Sequence, residues 1–122
     1  MRTLAFLIII LFFAFSPACA SDWSRSDTYR QVTYSALHLL DWSQTRYIAE
    51  NPSRYYESYN LVLGRHPSKD KVDIYYAATL AIHTAVARLL DGPYREGWQY
   101  ITIGVEGPMV VHNFRIGIGF GF

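Results

Sequence analysis

Two proline-bearing breaks, Asn51-Pro52 and Asp91-Gly92-Pro93, constrain the fold of this chain more than any other feature. Proline lacks a backbone N–H and crowds the preceding turn, so a helix ends before it or starts with it. The breaks divide the chain after Ser21 into three helical stretches and a tail. Ser24, Ser26 and Asp27 offer N-caps for a first helix running to about Ala49. Ser68 or Asp70 can cap a second, from Val72 to Leu90. Gly92 is expected to take the left-handed position after it, and Pro93 to sit in the first turn of a third helix ending near Asn113. Pro52 to Lys71 is the longest connection.

Side-chain periodicity assigns faces. In the first stretch Tyr29, Val32, Ala36, Leu37, Leu39, Leu40, Tyr47 and Ile48 share one half of the wheel. Tyr34, Ser35, His38, Asp41, Thr45 and Arg46 share the other. This predicts an amphipathic helix packed through its apolar half, with the polar half in solvent. In the second stretch, Arg88 is the only charge between Ile74 and Leu90, and His83 lies in the middle. Such a helix is either the central element of a bundle or a marginal membrane span. Gly104, Gly107 and Pro108 are expected to weaken or kink the third. From Phe114 to Phe122 large apolar residues alternate with Gly or Arg, a strand period. Such an ending is similar to the closing strand of an outer-membrane barrel, but a barrel needs about eight strands and no others are visible. The tail is expected to lie over the helices or to pair with another chain. The fold class that follows is all-α: a small bundle of three helices with a short extended tail over 114–122.

The first twenty residues look like a secretory signal. Arg2 is followed by an apolar run from Leu4 to Phe15, then by Ser16-Pro17 and by Ala18-Cys19-Ala20. Cleavage after Ala20 would leave one domain over 21–122, exported to the periplasm or associated with the inner membrane. Two alternatives stay open: acylation at Cys19, the only cysteine, or retention as an anchor. A run of about 12 residues is short for a span, which takes about 20. Removing Arg2 leaves ten basic against ten acidic residues, so nothing resembles a nucleic-acid-binding footprint. Ten tyrosines, rings with polar tips, suit an ordinary small core, an interface or a membrane boundary.

The chain carries no nucleophile elbow, Walker loop, dinucleotide fingerprint or C-x-x-C pair. Its chemical candidates are isolated. His38 and Asp41 share a helical face and read either as a carboxylate-oriented histidine or as part of a solvated surface. His83 would need a partner if buried, and Asp41 and Glu106 are candidates. Asp41, His83, Glu106 and His112 could form an acid–base or metal cluster inside a bundle, or merely hydrogen bonds that fix helix register. No pair has a recognised metal-ligand spacing, so no metal or cofactor is expected. Glu57 and Asn60, in the long connection, are placed to bond backbone groups freed at helix ends.

Three segments carry a resemblance: Asp41-Trp42-Ser43-Gln44-Thr45-Arg46-Tyr47-Ile48-Ala49; Tyr55-Tyr56-Glu57 with Asn60, Leu63-Gly64 and His66-Pro67-Ser68; and Val105-Glu106 with His112-Asn113. Together they resemble small uncharacterised exported or membrane-associated helical proteins of proteobacteria and their phages. The Glu57-to-Leu61 segment departs from that pattern by an extra residue and a missing proline. The resemblance implies helical architecture and an envelope location, not a reaction. The expected function is a non-enzymatic envelope protein acting on a membrane or protein partner. The alternatives are a small envelope enzyme or metal-binding protein using the His/Asp/Glu cluster, and a phage lysis or superinfection-exclusion accessory.

Overall fold

The computed structural model describes residues 23–122. The signal-like segment and Cys19 lie outside the described residues. Three α-helices follow one another: α1 (Arg25–Glu50), α2 (Lys69–Leu89) and α3 (Gly92–Arg115). No strand occurs among the described residues, and the all-α bundle expected from the sequence is the fold. α1 lies between the other two and touches both more extensively than they touch each other.

Local chemistry explains the helix ends. Ser24 caps α1 in a full capping box, its hydroxyl accepting from the Asp27 N–H while the Asp27 carboxylate accepts from the Ser24 N–H. Ser68 caps α2 through the Lys71 N–H. The Asp91-Gly92-Pro93 break works differently from expectation. Gly92 does not take a positive φ but is the first residue of α3, so α2 and α3 meet in a very short corner with Leu90 extended. Pro108 lies inside α3, which continues past it to Arg115, close to the expected end near Asn113.

The tail is not a strand. Gly117 takes the left-handed conformation (φ 85°). The Ile118 N–H reaches back to the Asn113 carbonyl in a Schellman-type stop, with Ile118 buried beside it. Beyond it the chain lies along α1. The Gly121 N–H donates to the Ser43 carbonyl, Arg46 Nε donates to the Gly121 carbonyl, and Phe122 meets Trp42 edge-on. A Cβ on Gly121 would stand 2.6 Å from the Tyr47 backbone nitrogen, and one on Gly119 would stand 3.1 Å from the Tyr47 ring. The alternating glycines therefore record close approach to a helix, not a pleat.

The largest departure from the sequence reading is which faces are buried. Val32 and Tyr29 of the apolar half of α1 are exposed, whereas Asp27, Gln31, Tyr34, His38 and Thr45 are buried. The expectation of a solvated polar half is overturned. The inward positions of α1 run 27, 31, 34, 38, 42, 45, spacings of three and four that mark a helix seam. In α3 the residues facing it include Arg95, Gln99, Thr102, Glu106 and Asn113. The one compact apolar cluster, Trp42, Leu63, Val72 and Tyr76, sits towards one end.

At the opposite end the seam is closed by an ion pair. Arg95 Nη1 lies 3.3 Å from the Asp27 carboxylate, both side chains almost fully buried, and Arg30 pairs with the same carboxylate at 2.6 Å. Burial pushes the Asp27 carboxyl up. The Ser24 backbone and hydroxyl donors, the Arg30 hydrogen bond and the Arg95 charge outweigh that and hold it below the ordinary value of 3.8. A depressed folded pKa stabilises the fold above the unfolded value and loses that contribution as pH falls through the folded one. Unfolding followed against pH is expected to show this loss only below about pH 4. Replacing Asp27 with Ala is expected to cost about 3 kcal/mol, because it removes a buried carboxylate that Arg95, Arg30 and Ser24 all bond. Gly121→Val, which forces the tail off α1, is expected to cost about 1–3 kcal/mol in the same measurement.

Candidate functional site

The sequence candidates fall into two hydrogen-bonded groups along the seam and one open cleft. The first group surrounds His83. Its Nδ1 faces the Gln31 amide nitrogen at 3.2 Å, and its Nε2 faces the Thr102 hydroxyl at 2.9 Å. Thr102 donates to the Trp98 and Gln99 carbonyls, so its oxygen is left to accept. His83 is thereby set as the neutral Nε2–H tautomer. Asp41 and Glu106 do not serve as its partners, contrary to the sequence expectation. Gln31 and Thr102 take that role, and the imidazole stacks between Tyr34 (3.5 Å between centroids) and Trp98 (5.2 Å).

The second group surrounds His38, which is buried. Nδ1 stands 2.7 Å from Glu106 Oε1, and Nε2 faces the Tyr76 carbonyl and the Thr79 hydroxyl. Thr79 spends its own hydrogen on backbone carbonyls, so both ring nitrogens of His38 face acceptors. Tyr34 bridges the two histidines, stacked on His83 and with its hydroxyl 3.2 Å from His38 Nδ1.

Asp41 is one helical turn further on. The Tyr76 hydroxyl donates to one of its oxygens, and the Asn113 amide donates to the other at 3.3 Å. Thr45 completes the Tyr76 hydroxyl's bonding at 2.9 Å. Asp41 and Glu106 both face a cleft of about 430 Å³ between α1, α2, α3 and the 56–61 loop. His112 stands at its mouth, exposed, edge-on to Tyr59. Asp41, Glu106 and His112 thus share one site, with His38 directly behind Glu106. His83 belongs to the closed part of the seam.

In the loop that roofs the cleft, Glu57 and Asn60 bond backbone N–H groups of the loop itself, not of the helix ends where their bonds were expected. Glu57 accepts from the Tyr59 and Asn60 N–H groups, and Asn60 Oδ1 accepts from those of Val62 and Leu63. Gly64 takes a positive φ (76°) where the loop turns. Glu57 also lines the cleft.

Sequence reasoning missed Gln31, Tyr34, Tyr76, Gln99 and Thr102 as parts of this network. Their signal was periodic. Gln31, Tyr34 and His38 recur at seam spacing on α1, as do Gln99, Thr102 and Glu106 on α3, but the seam was sought among apolar residues. Among the described residues no group of three or more His, Cys, Asp or Glu is placed to hold a metal ion. Nor does any buried side-chain nitrogen or oxygen among them lack a hydrogen-bond partner. The site can therefore hold protons and polar hydrogen-bonding groups as it stands.

Compared with family models, curated proteins and solved structures, the chain matches none.

The His38–Glu106 contact yields a graded expectation. Glu106→Gln keeps an acceptor for His38, whereas Glu106→Leu leaves its buried Nδ1 with only the more distant Tyr34 hydroxyl at 3.2 Å. Equilibrium unfolding is expected to show the Leu variant less stable than the Gln variant by about 1–3 kcal/mol.

Proposed function

We propose that the protein is a membrane-embedded envelope protein whose bundle carries its polar seam inside and faces lipid with its outside. The observation that carries this reading is the reversed polarity of the helices. Along α2 from Val72 to Ala87 the exposed residues are Ile74, Ala78, Ala81, Ile82 and Ala85. Along α3 from Gly97 to Val111 they are Tyr100, Ile101, Gly104, Val105, Pro108 and Val111. Along α1 from Gln31 to Ala49 they are Val32, Thr33 and Ala36. No charged side chain is exposed in this belt, which is about 22 Å tall at 1.5 Å per residue.

The ends of the belt support the same reading. Exposed aromatic rings border it: Tyr29 and Tyr94 at one end, Tyr56, Tyr59, Phe114 and Phe120 at the other. Tyrosine at both rims is the pattern of a membrane interface. Beyond the rims come the exposed charges, among them Arg25 and Glu96 at one end and Glu50, Arg65, Lys69 and Arg115 at the other.

Taken singly, no helix of the described residues is long and apolar enough to cross a membrane. That average counts the polar side chains of the seam, and those side chains meet one another and not the surroundings. A bundle that satisfies its polar groups internally can present an apolar exterior to lipid even where each helix alone would be too polar.

The full-length protein is expected in the membrane fraction, resistant to carbonate extraction. Ile82→Arg or Ile101→Arg places a charge near mid-belt, at about 2.5–3.5 kcal/mol on an insertion scale, and should cut the membrane-inserted fraction severalfold. Ser53→Arg, beyond the rim, should not. Recovery of the protein as a monomer free of membranes, with the Ile82→Arg and Ile101→Arg variants as abundant as the parent, would overturn the reading.

A further inference from the structure

The cleft beside Asp41 combines features that no structural role requires. Its volume, about 430 Å³, lies within the range of small-molecule sites, roughly 300–1,000 Å³. Three carboxyl groups line it, Asp41, Glu57 and Glu106, and no Lys or Arg does. Asp41 and Glu57 are held by neutral donors only: a tyrosine hydroxyl and a side-chain amide for Asp41, backbone N–H groups for Glu57. Neither forms an ion pair among the described residues, whereas Asp27 and Asp73 do. Two carboxyl groups in a partly enclosed space thus lack the cation that their counterparts elsewhere in the bundle have.

The remaining walls define the rest of the ligand. Tyr56, Tyr59, Tyr75 and Tyr76 bring aromatic rings to the cleft. Aromatic faces attract an organic ammonium or similar cation by about 0.5–2 kcal/mol each, more as water is excluded. Val105, Met109 and Leu61 form an apolar edge, and Val105 and Leu61 are exposed. Val105 belongs to the exposed apolar belt, so the cleft opens where the belt meets the charged end of the bundle. A ligand with a cationic head at Asp41 and Glu57 would lay its apolar body along Met109 and Val105.

We propose that this cleft is a binding site for an amphipathic organic cation. The head group is drawn by carboxyl groups without a cation of their own and by the tyrosine rings. The apolar part is taken up at the belt edge, and that half of the argument rests on the membrane reading above. Inorganic cations fit less well, because one side of the cleft offers no oxygen ligands.

The test uses the full-length protein in a neutral detergent, with tetraphenylphosphonium as the cation and tetraphenylborate as its anionic counterpart of similar shape. Equilibrium dialysis against empty micelles is expected to show one saturable site for the phosphonium and none for the borate. Asp41→Asn keeps an acceptor for Tyr76, and Tyr59→Ala alters only an exposed loop ring, so both variants should fold. Each is expected to weaken phosphonium binding about tenfold, whereas Ile101→Ala, on the belt away from the cleft, should leave it unchanged. Equal binding of the borate, or phosphonium binding unaltered in both cleft variants, would overturn the proposal. Membrane association is read without ligand. Absence of saturable cation binding by the unaltered protein, when it still fractionates with membranes, therefore refutes the cleft alone, and cation binding by a membrane-free protein would refute only the location.

Discussion

Everything in this bundle depends on a polar seam whose hydrogen bonds are complete. Gln31, His38 and Thr45 of α1 meet Thr84, Thr79 and Tyr76 of α2, while Gln99, Glu106 and Asn113 of α3 close from the other side. A buried polar group left without a partner costs about 1–3 kcal/mol. A one-residue slide of any helix would strand several at once, so the seam fixes register more sharply than interdigitating leucines would. His83 shows the mechanism at one residue. Its two neighbours, one an amide donor and one a hydroxyl with its hydrogen already committed, leave it a single tautomer and a single ring orientation.

Such a seam changes where folding energy comes from. In water, association of helices is driven by removing apolar surface, yet here Ile74, Ile82, Ile101 and Val105 stay exposed while glutamines and threonines are covered. In lipid the balance reverses. Apolar side chains gain nothing by leaving the tails, and polar groups gain by finding each other. The proposed location and the observed interior are thus one physical statement. On that reading, several of the residues that make each helix polar as a whole, such as His38, His83 and Gln99, are ones that the bundle hides.

How far the sequence could be read follows from the same point. Caps at Ser24 and Ser68, the break at Asn51-Pro52 and the backbone-bonding role of Glu57 and Asn60 are local, and local chemistry made them legible. The face of α1 was not, because amphipathicity says that one half is buried without saying which medium surrounds the other. The tail lies over α1, one of its two expected placements, but its strand-like period misread the cause. Alternation of glycine with bulky residues looks the same whether the glycines face a pleat or a neighbouring helix, and only the approach of Gly121 to Tyr47 distinguishes them. The candidate site was half visible: Asp41, Glu106 and His112 do converge, while His83 is claimed by glutamine and threonine partners whose period ran along the seam unnoticed.

The two ends of the bundle are built to different rules, and the difference places the chemistry. At the Asp27 end two arginines, a capping box and a stacked Trp23 neutralise and plug the seam. At the other end the apolar cluster of Trp42, Leu63, Val72 and Tyr76 closes one side, braced by the Arg46–Asp73 pair and the tail. On its remaining side the seam surfaces at Asp41 and Glu106 under a loop that spends its polar groups on itself. There its carboxyl groups, with Tyr76 and Asn113, are turned towards a space large enough for a ligand. A structural seam has no need of that opening, since Asp27 shows how readily an arginine would have filled it. The asymmetry is why the open end, and not the histidine-rich middle, is where this protein meets another molecule on the proposed reading.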